Sequence, residues 1–106
     1  MKNERKKRIL KNKLQDKLNK FIDNLEFIRN KLNNADLSNI EIERLYFKIM
    51  NYYYTGGIRT LIKKAREYLS KDNFREKTIK NIIAELEEEI EYTNKVIKEI
   101  KEKLIL

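Results

Sequence analysis

From Thr78 to Leu106 the apolar residues recur at Ile79, Ile83, Leu86, Ile90, Thr93, Ile97, Ile100 and Leu104, steps of four and three kept for almost four heptads. Thr93 is the only soft member. A helix turning once every 3.6 residues gathers these side chains into one stripe, and such a stripe must be covered. At about 1.5 Å per residue the segment is about 40 Å long, so its cover has to be another long helix.

The other end of the chain supplies one. Leu10, Leu14, Leu18, Phe21, Leu25, Ile28 and Leu32 step by the same four and three, which predicts a first helix over 3–33. Before Leu10 almost everything is charged, with Lys2, Arg5, Lys6, Lys7 and Arg8 close together. Like charges three and four residues apart weaken an isolated helix, so residues 1–9 are expected to form a basic, frayed arm.

Between the long segments lie two shorter ones. Ser38-Asn39-Ile40-Glu41 fits a capping box, with Leu37 and Ile42 placed as a hydrophobic staple, each device worth about a kilocalorie per mole. The second helix follows over 39–54 with Ile42, Leu45, Tyr46, Ile49 and Tyr53 inward. Thr55-Gly56-Gly57 then holds the only glycines in the chain. On an unbroken helix the apolar residues before them and those after them (Ile58, Leu61, Ile62, Ala65, Leu69) would point roughly 145° apart. Two glycines also cost about 1 kcal/mol each inside a helix, which favours a turn. A third helix over 58–70 and a connector at Ser70–Asn73, with Asp72 as N-cap, lead into the last helix.

The resulting fold class is an all-α, antiparallel helical bundle in a single domain, 1–106. Two long helices (about 3–33 and 73–105) pair antiparallel, with a shorter helical hairpin (about 39–54 and 58–70) broken at Gly56-Gly57. The alternative is a three-helix bundle whose middle helix is bent at the glycines. In the first plan the long stripes outrun the short pair, and a two-fold dimer would cover the remainder.

Composition narrows function by exclusion. The 106 residues contain no Cys and no His, which removes disulfides, thiolate zinc sites and the commonest proton shuttle. No Gly-rich phosphate loop or triad-like arrangement appears. The expectation is a non-enzymatic protein without catalytic residues, cofactor or metal, and without a small-molecule substrate. No apolar run approaches a membrane span and no secretory signal is evident, so a soluble, cytoplasmic protein is expected.

Charge is the positive clue. The formal charge is +8, unevenly spread: residues 1–33 carry 11 bases and 4 acids (+7), 34–72 carry 7 and 5 (+2), and 73–106 carry 7 and 8 (−1). A basic end on a near-neutral body points to phosphate-rich partners, DNA or RNA backbone foremost, with an acidic protein surface as the other class. The candidate contacts are Arg5, Lys6, Lys7 and Arg8, joined in an antiparallel pairing by Lys98, Lys101 and Lys103 from the end of the last helix. Arg59, Lys63 and Arg66 form a second basic stripe with Ser70 on the third helix. Helix, glycine turn and short basic helix is also the order of a helix-turn-helix, and the amides of Thr55, Gly56 and Gly57 are candidates to receive an anion.

Two further groups stand out. The aromatics gather at Tyr46, Phe47, Tyr52, Tyr53 and Tyr54, of which Tyr52 and Tyr54 are expected outermost, as interface residues. Glu85, Glu87, Glu88, Glu89 and Glu91 make an acidic run best read as a solvated face that attracts the basic first helix and fixes register. Size, charge and helical plan resemble small accessory proteins of plasmids and viruses, and loosely the helical bacteriocin-immunity bundles. The two functional expectations are a nucleic-acid-binding or regulatory accessory protein, and a protein-interaction or self-assembly module using exposed heptad stripes.

Overall fold

The computed structural model describes residues 2–72 and 74–104. Asn73 of the expected connector and the side chains of Lys2, Asn3 and Leu104 lie outside the described residues. Among the described residues four helices make a rod of 58 × 25 × 17 Å: α1 (Lys2–Asn33), α2 (Ile40–Thr55), α3 (Ile58–Ser70) and α4 (Glu76–Leu104). The all-α bundle and the side-by-side pairing of the two long helices are as the heptads require.

The direction within that pair is not. Lys6 meets Glu76, Lys13 meets Glu87, Asn24 meets Thr93, and the Lys101 ammonium lies over the Phe27 ring. Both numbers climb together, so α1 and α4 run parallel. The short helices run the other way: Lys48 pairs with Glu99, Tyr52 with Glu89 and Lys64 with Glu85. The chain therefore goes up along α1, down through α2 and α3 in succession, and up again along α4. The antiparallel packing is between the α2–α3 run and the long helices. The break at Gly56-Gly57 into two helices is as expected, but the two do not fold back as a hairpin and instead share the place the alternative plan gave to one bent middle helix.

The interior follows this layout. Leu14, Leu18, Phe21 and Leu25 of α1 pack with Ile58, Leu61 and Ala65 of α3 and with Ile79, Ile82, Ile83 and Leu86 of α4. Further up, Ile28 and Leu32 meet Leu45 and Ile49 of α2 and Val96 and Ile100 of α4. Fully burying one such side chain contributes about 1.5–3 kcal/mol, so each half of the α1–α4 seam is held by its own short helix. Ile82 and Val96 fall outside the four-three rhythm yet are buried, because α4 faces two neighbours and needs a wider stripe than a two-stranded coil. With α2 and α3 laid end to end, the seam residues from Leu14 to Leu32 of α1 and from Ile79 to Ile100 of α4 are buried or half-buried.

Gly56 and Gly57 make the joint. Gly57 is left-handed at φ 74, and Gly56 has its N–H bonded to Tyr52 O at 2.9 Å, where an added Cβ would stand 2.6 Å from that same oxygen. The helix thus ends, one left-handed residue rotates the chain, and α3 begins with Leu61 N donating to Gly57 O. This rotation cancels the phase offset, so both apolar stripes face the α1–α4 groove without a reversal of direction.

Three local expectations are corrected. The N-cap of α2 is Asn39, whose Oδ1 accepts from Glu41 N and Ile42 N at 3.0 and 3.4 Å. Ser38 instead donates to the Asp36 carboxylate, at 2.6 Å from its hydroxyl, and Leu37 stays exposed rather than closing a staple. Helix α4 starts at Glu76 and not at an Asp72 cap, because the Tyr68 hydroxyl clasps the backbone of Arg75, accepting from its N–H at 2.7 Å and donating to its carbonyl at 3.0 Å. The basic segment before Leu10 is helical. Lys7 donates to Asp72 O at 2.8 Å and Lys11 to Lys71 O at 2.5 Å, placing cations against carbonyls just beyond the end of α3, where they offset its dipole.

Candidate nucleic-acid interface

The basic N-terminal cluster divides in two. Lys6 forms an ion pair with Glu76 at 2.7 Å, and Glu76, held also by Lys80 at 2.8 Å, has its carboxyl below the usual range because both ammoniums hydrogen-bond it. Lys7 is engaged by the Asp72 carbonyl. Arg5 and Arg8 are exposed and, among the described residues, make no ion pair. The parallel direction of α4 puts Lys98, Lys101 and Lys103 at the far end of the rod, so they add nothing to this cluster.

The α3 stripe lies elsewhere than a helix-turn-helix would have it. In that motif the two helices cross at a steep angle. Here α2 and α3 succeed one another along the same groove, and α3 is not offered as a separate recognition helix. Its basic stripe instead borders α1. Arg59, Lys63 and Arg66 line one side of a depression of about 480 Å³, and Arg29 of α1 lines the other. The floor is apolar: Ile22, Leu25, Ile62 and Tyr53. Glu26 and Glu67 share the rim. Among the described residues none of the four cations makes an ion pair, although the bases of the opposite face do.

The depression continues in both directions. Toward the α3 end it passes Arg66 and Ile22 into a second hollow with Gln15, Asn19 and Ser70. Toward the α2 end it passes Arg29, Tyr53 and Arg59 into a third with Tyr46, Met50 and Tyr54. From Gln15 to Asn33 this groove runs about 27 Å along α1. Arg8, seven residues before Gln15, occupies the same face of α1 and extends the cationic line toward the N-terminus.

The tyrosines sort themselves along the same groove. Tyr54 is 67% exposed, with the Arg59 guanidinium 5.7 Å from its ring centroid. Tyr53 donates its hydroxyl to Leu25 O at 2.7 Å; burial raises its pKa, with the nearby Arg29 opposing. Tyr52 is half-buried rather than outermost: its ring rests on Tyr92 at 4.6 Å between centroids and its hydroxyl donates to Glu89. Burial, reinforced by the Glu89 carboxylate, raises its pKa.

No protein-family model, curated protein or solved structure matches this chain.

The remaining candidates lose their chemistry. The Gly56 amide is spent on Tyr52 O at 2.9 Å, which removes one donor from the expected anion cradle. The acidic run spends Glu85 on Lys64 at 3.6 Å, Glu87 on Lys13 at 4.0 Å and Glu89 on Tyr52. Among the described residues no cluster of three or more metal-ligating side chains occurs, and no helix is long and apolar enough to cross a membrane. Arg29 is the groove residue that sequence reasoning missed. It sits beside the α1 seam like any surface base, and only the placement of α3 shows what it faces.

Proposed function

We propose that this is a small, non-enzymatic nucleic-acid-binding protein that grips the phosphate backbone through cations on one side of the rod. The observation behind the reading is the convergence of Arg29 with Arg59, Lys63 and Arg66 on a single groove, all four without ion pairs among the described residues. Arginines and lysines left unpaired beside one another repel, and phosphate oxygens relieve that repulsion while releasing counterions. Arg8 prolongs the line, and Arg5 lies at its end.

Anisotropy titrations of labelled DNA and RNA over a salt series test this. If Arg5, Arg8, Arg29, Arg59, Lys63 and Arg66 all meet phosphates, log K falls with log salt at a slope of about −4.2 for single strands or about −5.4 for duplex. No binding at low salt, or binding indifferent to salt, ends the proposal.

A second reading, an interaction or self-assembly module, rests on the exposed face of α2, which meets the groove at Tyr54. Ile40, Phe47 and Tyr54, spaced by seven on α2, are 63%, 61% and 67% exposed, an apolar stripe on the side of α2 away from its buried residues. Sedimentation of the wild type and of Phe47→Lys separates the two. A concentration-dependent oligomer lost in Phe47→Lys, with nucleic-acid affinity retained, favours the module.

A further inference from the structure

Resting on the nucleic-acid reading, we infer that the groove between α1 and the α2–α3 run takes a single strand, with its bases against the apolar floor and on Tyr54 and its phosphates along the cationic rims. The inference begins with shape. Two packed helices lie about 8–10 Å apart axis to axis, so a groove between them is one chain wide. A duplex, whose major groove alone is about 12 Å across, spans such a groove and touches only its rims.

Chemistry agrees with shape. A duplex keeps its base faces stacked inside, so Ile22, Leu25 and Ile62 at the floor would have nothing to bury. An unpaired strand alternates planar apolar faces with anions, which is the alternation this groove presents. Tyr54 sits where the groove opens at the α2 end, exposed over 67% of its surface. Arg59 lies over its ring at 5.7 Å, poised to hold a phosphate while the ring receives a base. An acidic peptide would satisfy the rims but brings no run of planar faces to lay on the apolar floor and on Tyr54.

The experiment uses the full chain with labelled oligothymidylate, oligouridylate of equal length, a duplex of equal length, and polyglutamate. The wild type is expected to bind both single strands on the order of tenfold tighter than the duplex. Tyr54→Ala is expected to lose about tenfold on single strands, the effect of removing one base–aromatic stack, with duplex binding unchanged. Tyr54→Phe, which keeps the ring, should hold wild-type affinity. Tyr54 is exposed, so unchanged thermal melting of both variants is the control for folding.

Equal or tighter duplex binding, or an inert Tyr54→Ala, overturns the single-strand assignment while leaving the phosphate-binding proposal in place. Binding of polyglutamate alone, or of nothing at low salt, removes both.

Discussion

Asn24 of α1 donates from Nδ2 to the hydroxyl of Thr93 on α4 at 2.9 Å, with the two residues 4% and 0% exposed. The same amide donates its other hydrogen to Asn94 Oδ1 at 2.9 Å, and the Thr93 hydroxyl passes its own to Glu89 O at 2.8 Å. This polar layer separates the two halves of the core. Buried polar groups placed in this way fix one register, because any slip leaves them unpaired. Thr93→Val strands one hydrogen of the Asn24 amide in the interior and should cost about 1–3 kcal/mol in urea unfolding. Asn24→Leu with Thr93→Val removes both partners and should recover most of that loss. A double variant no more stable than Thr93→Val alone would show that the layer is not a coupled unit.

The glycines give a second prediction. At Gly57 the obstacle is conformational, since φ is 74 and nothing lies within 4 Å of an added Cβ. Gly57→Ala should cost about 1–2 kcal/mol, and Gly57→Asn less, as asparagine tolerates the left-handed region. At Gly56 the obstacle is steric, a Cβ only 2.6 Å from the Tyr52 carbonyl oxygen, and backbone must move. Gly56→Ala should therefore melt lower than Gly57→Ala. The reverse order would contradict the geometry of the joint.

That joint also explains what was legible in the sequence. Helix positions and inward faces followed from heptad spacing, and Leu14, Phe21, Ile79 and Leu86 are buried as the rhythm demands. Direction was not legible from the same pattern. A reversal at Gly56-Gly57 makes α4 antiparallel to α1, and mere rotation there makes it parallel, so one dihedral decides the topology. One length did speak: the stretch 40–70 nearly matches the 32 residues of α1, enough to cover the seam without doubling back. Of the groove, the α3 stripe was visible as periodic bases. The place of Arg29 and the contacts that half-bury Tyr52 depended on which helix lies across from which, and that is tertiary information.

Alkaline pH should probe Tyr52. Burial, then the Glu89 contact, raises its pKa above the ordinary 10.0. A raised pKa in the folded state means its contribution is fully present below pH 10.0 and declines as pH rises beyond it. Lysines titrate in the same range, so the comparison has to be between variants. Tyr52→Phe has no phenol to ionise, and its melting temperature should fall less steeply between neutral pH and pH 11. Parallel curves for wild type and variant would mean the hydroxyl is not held as described.

The N-terminal bases should separate by task. Lys7 and Lys11 are bound to carbonyls of the α3–α4 connection. Their joint replacement by Gln should loosen the first turns of α1, read as faster amide exchange there, at a global cost of about 1 kcal/mol. Arg5 and Arg8 have no such partners among the described residues. Arg5→Gln with Arg8→Gln should leave melting unchanged and flatten the salt slope of nucleic-acid binding by about 1.4 for single strands. A drop in stability with an unchanged slope would reverse the division of roles.

The acids at the rim offer the sharpest check, because they predict a gain. Glu26 and Glu67 line the groove among Arg29, Arg59, Lys63 and Arg66, and none of these six makes an ion pair among the described residues. If the groove holds a polyanion, each carboxylate repels the ligand across a wet, surface-like medium, at a cost of a few tenths to 1 kcal/mol. Glu26→Gln with Glu67→Gln should then tighten nucleic-acid binding roughly two- to fivefold at low salt. The gain should fade as ionic strength rises and the Debye length falls below about 10 Å. Stability should stay within about 0.5 kcal/mol, since both residues are surface positions without partners. Weaker binding in this variant would mean that the acids orient the arginines rather than oppose the ligand, and an unchanged affinity would place the polyanion somewhere other than this groove.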